Sequence, residues 1–285
     1  MGYSTGTDPT LAEFITGKFI PEKYSKDVIM HVKSALVVAE SVNRSYEDDL
    51  QYGSVVNIPV FSEGATSEVT PGTEPTPVDG VGTPASLTVN KWFQQTHEIS
   101  KMSKIQNYPD YFAAAAKSQA YAIAKKVDTD LGALFSALSS SSVYGSDGQE
   151  MGDDILLAII QGLDEADVPT EDRCIIGDPS TWVDLLKIDK FVKNDYGKGG
   201  VVASGVMGQI YGMPFKKTNN LTQATTGNYG VIMHRDALGL VMQANPDAKV
   251  IPMPWKFKTN LTTDVIYGVG EIRDSFGRAF YTHKA

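Results

Sequence analysis

Apolar positions recur along the chain with two periods, and the change of period marks out its elements. Between Tyr24 and Val42, residues Val28, His31, Val32, Ala35 and Leu36 fall at i, i+3, i+4, i+7 and i+8, which is one helix face. The polar, acidic run Asn43 to Gln51 ends that element. Ser54 to Phe61 alternates instead, with Val56, Ile58 and Val60 on one face of a strand. Pro59 has no amide hydrogen, so this strand is expected at an edge or to end there. Leu87, Val89, Phe93 and Ile99 line one face of a second strand, Ser86 to Ser100.

Tyr108 to Leu138 carries the strongest helical pattern. Phe112, Ala116, Gln119/Ala120, Ile123, Val127, Leu131, Leu134 and Leu138 step by three and four, and Pro109 suits a first turn. Lys117, Lys125, Lys126, Asp128 and Asp130 supply its polar positions. Unbroken, the helix would be roughly 45 Å long. Ser139 to Gly148 is a Ser/Gly-rich loop and a candidate boundary. A second helix spans Asp153 to Ala166, with Ile155, Leu156, Ile159, Ile160 and Leu163 apolar. Arg173 to Ile176 reads as a short buried strand, and Pro179 opens a third helix through about Val192. Asn194 to Gly212 is glycine-rich and reads as irregular. Short strands follow near Ile210, Pro214 to Lys217 and Val231 to Met233, then a short element at Ala237 to Gln243. From Trp255 onward the pattern is β, and Phe276 to Tyr281 is placed to close a sheet. The fold class is α+β.

Ser62 to Pro84 fits neither period. It holds four prolines, four glycines and the acids Glu63, Glu68, Glu74 and Asp79, with no Lys or Arg. Ordering each residue costs roughly 1–2 kcal/mol, and Ala65, Val69, Val78 and Val81 offer little burial to offset it. A long loop of this kind is either flexible or ordered by a partner surface. Two strands therefore bracket an acidic excursion.

Composition narrows the function. The chain has 285 residues, 42% hydrophobic, enough for one large or two ordinary domains without staples. With 34 acidic and 25 basic residues the net charge is −9, a poor basis for gripping nucleic acid through the general surface. The single cysteine, Cys174, excludes an internal disulfide framework and cysteine-based metal clusters. No segment approaches the ~18 apolar residues of a membrane helix, and the first residues fit neither a signal peptide nor a myristoylation signal. Three glycosylation sequons, at Asn43, Asn220 and Asn260, read as chance.

Enzyme signatures fail one by one. Gly268-Val269-Gly270 lacks the third glycine of a dinucleotide loop and runs into a strand. Gly17-Lys18 and Gly197-Lys198 lack the rest of a phosphate-binding loop. His97-Glu98 is followed by Lys101 where a zinc protease needs His, and Ser204-Gly205 is no nucleophile elbow. His31, His97, His234 and His283 lie in separate elements, with no metal-ligand spacing. Cys174 sits in an apolar strand and reads as an inert core thiol. Asp153-Asp154 suits a helix N-terminus, while Asp128 and Asp130 share a helix but point apart. No catalytic residue, metal site or cofactor is expected.

The phrases and their order resemble the major capsid protein of tailed bacteriophages, the Hong Kong 97-type fold. Tyr46-Glu47 through Gly53 to Val56-Asn57-Ile58-Pro59 is similar to that family's approach to its extended loop. Val168-Pro169 through Arg173, then Asp178-Pro179, is similar to the phrase that opens its central sheet. Gly208-Gln209-Ile210-Tyr211-Gly212, followed by Thr218-Asn219-Asn220-Leu221, is similar to a later phrase, with Thr218 where Ser is common. The likeness runs from about Phe14 to Phe280.

It implies an N-terminal arm and helix (1–51), an extended β-hairpin loop (52–101) and a peripheral domain with a long spine helix (102–148). An axial domain (149–250) and a return to the peripheral sheet (251–285) would follow. It also implies self-assembly through pentamers and hexamers into an icosahedral head around double-stranded DNA, with portal and scaffolding partners and no membrane. The protein would be made in the host cytoplasm and end in the virion. Some relatives join subunits by Lys–Asn isopeptide bonds, but no motif here identifies such a pair. Candidate intersubunit contacts are Glu63, Glu68, Glu74 and Asp79 on the loop, Lys91 at its base, and Arg273 and Arg278. Two other readings stay open: the shell of a bacterial nanocompartment enclosing a cargo enzyme, and a soluble enzyme with an acidic lid.

Overall fold

A computed structural model describes residues 37–50, 52–60, 84–102, 111–138, 143–188 and 209–283, with positions 66, 68, 72, 74 and 82 between them. Val28, His31, Val32, Ala35, Leu36, Glu63 and Asp79 lie outside the described residues.

Three sheets organise the chain. A two-stranded ribbon pairs β1 (Val55–Ile58) with β2 (Ala85–Thr88), antiparallel, Val56 opposite Leu87. Pro59 stands just past the end of β1, as its missing amide requires. A three-stranded antiparallel sheet has the order β3 (Lys91–Ser100), β8 (Lys258–Glu271), β7 (Leu238–Met253). A four-stranded sheet has the order β5 (Phe215–Lys217), β4 (Arg173–Gly177), β6 (Tyr229–His234), β9 (Gly277–Tyr281). Its central strand β4 is buried throughout, and only β4–β5 is parallel.

Helix α1 (Tyr111–Gly132) lies on one face of the three-stranded sheet. Ile123, Val127 and Leu131 turn inward with Val265 and Tyr267 of β8 and Leu238 and Leu240 of β7. At 22 residues it is about 33 Å long, shorter than the pattern suggests. Beyond Gly132 the stepping continues, but the bonds tighten: Leu134, Phe135, Ala137 and Leu138 each donate to the carbonyl three residues back. Gly132 itself lies under the main chain, where an added Cβ would stand 3.1 Å from the Asn220 carbonyl. Of the ambiguous pair, Gln119 faces in and Ala120 out.

The four-stranded sheet carries α2 (Asp153–Asp164) and α3 (Pro179–Lys187) around a second core of Leu156, Ile159, Leu163, Ile175, Leu185, Ile232 and Phe280. Asp178 caps α3, accepting from the Thr181 amide at 2.9 Å, with Pro179 in the first turn. The buried Arg173 guanidinium turns back onto the Val168 and Pro169 carbonyls and pairs with Asp164 at 2.8 Å. The Val168-Pro169…Arg173 phrase is thus a loop that closes on its own arginine. Ile210 and Met213 exchange both backbone hydrogen bonds across Tyr211 (φ 49°) and Gly212 (φ 80°), a tight turn of the kind glycine favours.

Several readings are corrected. Residues 37–42, expected to finish a helix, are bends and turns, because the Ala39 amide donates to Asp128 on α1 and Val38 and Val42 are buried. The short element at 237–243 is the start of the sixteen-residue β7, whose ladder slips between Met242 and Ala244 and again before Asp247. β7 pairs within the three-stranded sheet and runs across the boundary placed at 250. β9 joins β6 in the four-stranded sheet, not the sheet assigned to 251–285.

Candidate assembly surfaces

The titratable groups inside the molecule are tied into structure. Asp128 and Asp130 do point apart. Asp128 is fully buried and holds residues 37–39 at their amides; burial raises its pKa, against those amides and the Asn220 side chain. Asp130 pairs with Lys126 at 2.7 Å and Lys91 at 3.1 Å and accepts from the Tyr267 hydroxyl at 2.6 Å. Burial works to raise its pKa, but hydrogen bonds from Lys126, Tyr267 and Lys91 outweigh it and the value falls. Gln119 bonds the Leu261 carbonyl and Thr263, stitching α1 to β8. Gln119 falls on the inner face in the stepping pattern, whereas Asp128 and Asp130 read only as polar positions; nothing in the spacing shows that these side chains reach across to other elements.

Cys174 is buried, and desolvation pushes its thiol up to about 11, the setting of a core residue. His234 accepts the Asp236 amide and meets the edge of Phe276. Glu150, Asp184 and His283 converge, but Lys187 already sits between the two carboxylates, at 2.8 Å and 3.0 Å. The cluster is therefore an ion-pair network holding its own cation.

Two exposed features remain as candidate interaction surfaces. The first is the neck of the acidic loop. Leu87 of β2 lies across the three-stranded sheet, on the face opposite α1, over Gly239 and Gly270. A Cβ on either glycine would approach Leu87 to 2.8–2.9 Å, and one on Gly268 would stand 2.4 Å from the Thr88 carbonyl oxygen. Leu50, Ile58, Leu87 and Val241 form a small core that seats the ribbon there. Gly268-Val269-Gly270, a failed dinucleotide loop, is a saddle for the neck. The signal was in the spacing: two glycines two apart share one face of a strand.

From this seat the Gly82 amide extends the ladder to the Val60 carbonyl, and Glu68 and Glu74 are exposed beyond it. Of the other candidates, Lys91 is engaged by Asp130 within its own chain. Arg278 donates to the Gly162 carbonyl, joining β9 to α2. Arg273 is exposed, stacked over Phe276 at 4.7 Å. The second surface is the β7–β8 turn, Pro254 to Phe257, which carries Trp255 and Phe257 into solvent beside Met102.

A protein built this way, from a seated loop neck, a spine helix on a small sheet and a separate four-stranded sheet, has the architecture of a shell subunit. The family described as phage capsid protein matches residues 82–264, and the chain belongs to that family. It is a structural capsid protein, a component of the virion shell that assembles with copies of itself. A structure from Mycobacterium phage Che8 superposes with a TM-score of 0.79 at 20% identity, covering 93% of this chain and 97% of that one. The capsid structure of cyanophage P-SCSP1u gives 0.75 at 16% identity, covering 94% of each chain. The asymmetric unit of the bacteriophage PhiM1 mature capsid gives 0.70 at 17%, covering 93% and 92%. At these identities the likeness shows the fold. No curated protein sequence matches the chain.

Proposed function

We propose that the chain is the major subunit of an icosahedral phage head. It would assemble through pentamers and hexamers around double-stranded DNA that it encloses without reading sequence. Heterologous contacts that close at five- and six-fold positions would generate the shell. α1 with the three-stranded sheet corresponds to the peripheral domain, and the four-stranded sheet with α2 and α3 to the axial domain. The carrying observation is the seated neck: a ribbon fixed on its own sheet, leading into an acidic Pro/Gly-rich stretch too poor in apolar groups to order itself. Such a loop gains its missing surface from a neighbour, and Glu63, Glu68, Glu74, Asp79 and Arg273 are its proposed intersubunit contacts.

The role is structural rather than enzymatic. Among the described residues the buried acids are consumed by helix, strand and segment contacts, which supports that reading. Portal and scaffolding proteins are the further partners, and synthesis is in the host cytoplasm. The test is to express the chain alone and with its neighbouring phage genes, size it by light scattering and image it by negative-stain electron microscopy. Closed polyhedra, or rings of five and six, are expected; a small discrete oligomer under both conditions would refute the proposal.

A further inference from the structure

We propose that residues 37–42 form a proton-gated flap over Cys174, closed while the Asp128 carboxyl carries its proton and opening more readily once it is ionised. The inference concerns the single subunit and does not rest on the shell reading.

Asp128 and Asp130 lie two apart on α1 and meet opposite surroundings. Asp130 faces two ammonium groups, Lys126 at 2.7 Å and Lys91 at 3.1 Å, and the Tyr267 hydroxyl. Asp128 is fully buried, and among the described residues no cation pairs with it. Its Oδ1 accepts the Ala39 amide at 3.0 Å, while its Oδ2 has no hydrogen-bond partner among the described residues. A buried carboxylate with one oxygen unanswered favours the neutral acid, and its pKa is raised accordingly.

The charged groups nearby do not compensate it. On α1, Lys125 is exposed and Lys126 is tied to Asp130. Lys216 of β5 donates to the Ser41 hydroxyl at 2.8 Å. Glu40 on the flap is exposed and of the same sign. Thr218 to Leu221 bring only neutral side chains. At the crossing, Arg235 is exposed and Asp236 holds the Asn43 side chain at 2.7 Å. The Cys174 thiol, pushed up to about 11, stays uncharged.

The flap is lightly attached. Asn43 fixes its far end by two backbone bonds to β7. Before that, the Ala39 and Ser41 bonds and the buried side chains of Val38 and Val42 hold it. A segment with so few ties opens locally without the rest of the molecule. Opening hydrates the carboxylate, so ionisation favours the open form. Closure is therefore fully favoured below the open-state value near 3.8 and weakens as pH rises through the raised closed-state value. Between the two, the opening equilibrium climbs by up to about tenfold per pH unit.

The protein carries its own reporter. Cys174, the single cysteine, shares a core with Val38 and Val42 and lies beside the Ser41 hydroxyl. With Glu40, Ser41 and Lys216 it lines a cavity of about 620 Å³. At 5% exposure, its thiol is reached only when the flap moves.

The test labels Cys174 of the full chain with an excess of a pyridyl disulfide between about pH 4.5 and about pH 8. Each rate is divided by that of the urea-unfolded chain at the same pH, which removes the thiolate fraction. The corrected rate should stay slow throughout, yet climb with pH by up to about tenfold per unit and then level. Asp128→Asn should hold at the acid value at every pH. Hydrogen exchange of the 37–43 peptide in the unmodified chain, corrected for its intrinsic rate, should follow the same curve, which decides the matter even if the variant does not fold. A corrected rate independent of pH would overturn the inference. So would a rise that persists in Asp128→Asn, which would place the gate on another group. A rate that grows steeply in dilute urea would assign the labelling to unfolding of the whole subunit and equally overturn it.

Discussion

Substituting Gly268 by alanine tests whether the loop neck is seated by steric fit. The added Cβ would stand 2.4 Å from the Thr88 carbonyl oxygen and 2.9 Å from both the Thr88 carbonyl carbon and the Val89 Cα. All three atoms are backbone, so no side-chain rotation relieves the overlap; β2 itself must move by most of an ångström. Lifting the ribbon off would expose Leu50, Ile58 and Leu87, at roughly 1.5–3 kcal/mol each. Overpacking strain is smaller, about 1–3 kcal/mol. The strained, seated neck therefore wins, and Gly268→Ala should cost about 1–3 kcal/mol. At about 2–4 °C per kcal/mol, the Tm falls by roughly 2–12 °C. Scanning calorimetry of the unassembled subunit measures it, with Gly152→Ser as control, since nothing lies within 4 Å of a Cβ there and serine suits the helix cap it occupies. Limited proteolysis should also cut the 54–90 region sooner in Gly268→Ala. A Tm and a digestion rate equal to the control would refute the saddle.

Three further outcomes follow from buried groups. The folded pKa of Asp128 is raised, so its contribution is full below the unfolded value near 3.8 and lost as pH rises through the folded value. Asp128→Asn keeps an acceptor for the Ala39 amide without the buried charge, and should leave Tm at pH 7 unchanged or higher; a large drop would show that the charge itself holds residues 37–39. Asp178 has the opposite sign. Burial would raise its pKa, but hydrogen bonds from Thr181, Ser180 and Thr282 lower it, so its contribution is present above the unfolded value and lost as pH falls through the folded one. Asp178→Ala should cost about 0.5–2 kcal/mol at pH 7 for the lost cap, with a smaller difference from the parent in acid, read by melting at several pH values. Cys174 should resist a maleimide probe in the native subunit at pH 7 and react on unfolding; rapid native labelling would contradict its burial.

The parts legible in the sequence are those whose pattern is set by burial on one face. The steps of three and four found α1, α2 and α3, and an unbroken apolar run found β4. β7 escaped because Asn245-Pro246-Asp247 interrupts it where the ladder slips, and its outer half, with Val250 and Ile251 exposed, has no buried face to impose alternation. The α1 pattern ran past the helix end because turns bonded three residues back still place Phe135 and Leu138 inward. Residues 37–42 carry a helical pattern, but a carboxylate on another element captures the Ala39 amide. The candidate surfaces were half legible: the acidic loop announces itself by composition, whereas Trp255 and Phe257 read as ordinary strand residues until the turn places them outside.

Two of the chain's three crossings between its larger sheets, Arg235–Ala237 from β6 to β7 and Asp274–Phe276 from β8 to β9, lie side by side. The Ala237 carbonyl accepts from both the Ile272 and Arg273 amides, fastening one crossing to the other. The same join is packed as well as bonded: Cys174, Ile176, Val231 and Met233 of the four-stranded sheet share one buried core with Leu238, Leu240, Val265 and Tyr267 of the three-stranded sheet. Bending one sheet against the other would therefore open close-packed interior, so a load applied to one sheet is carried into the other.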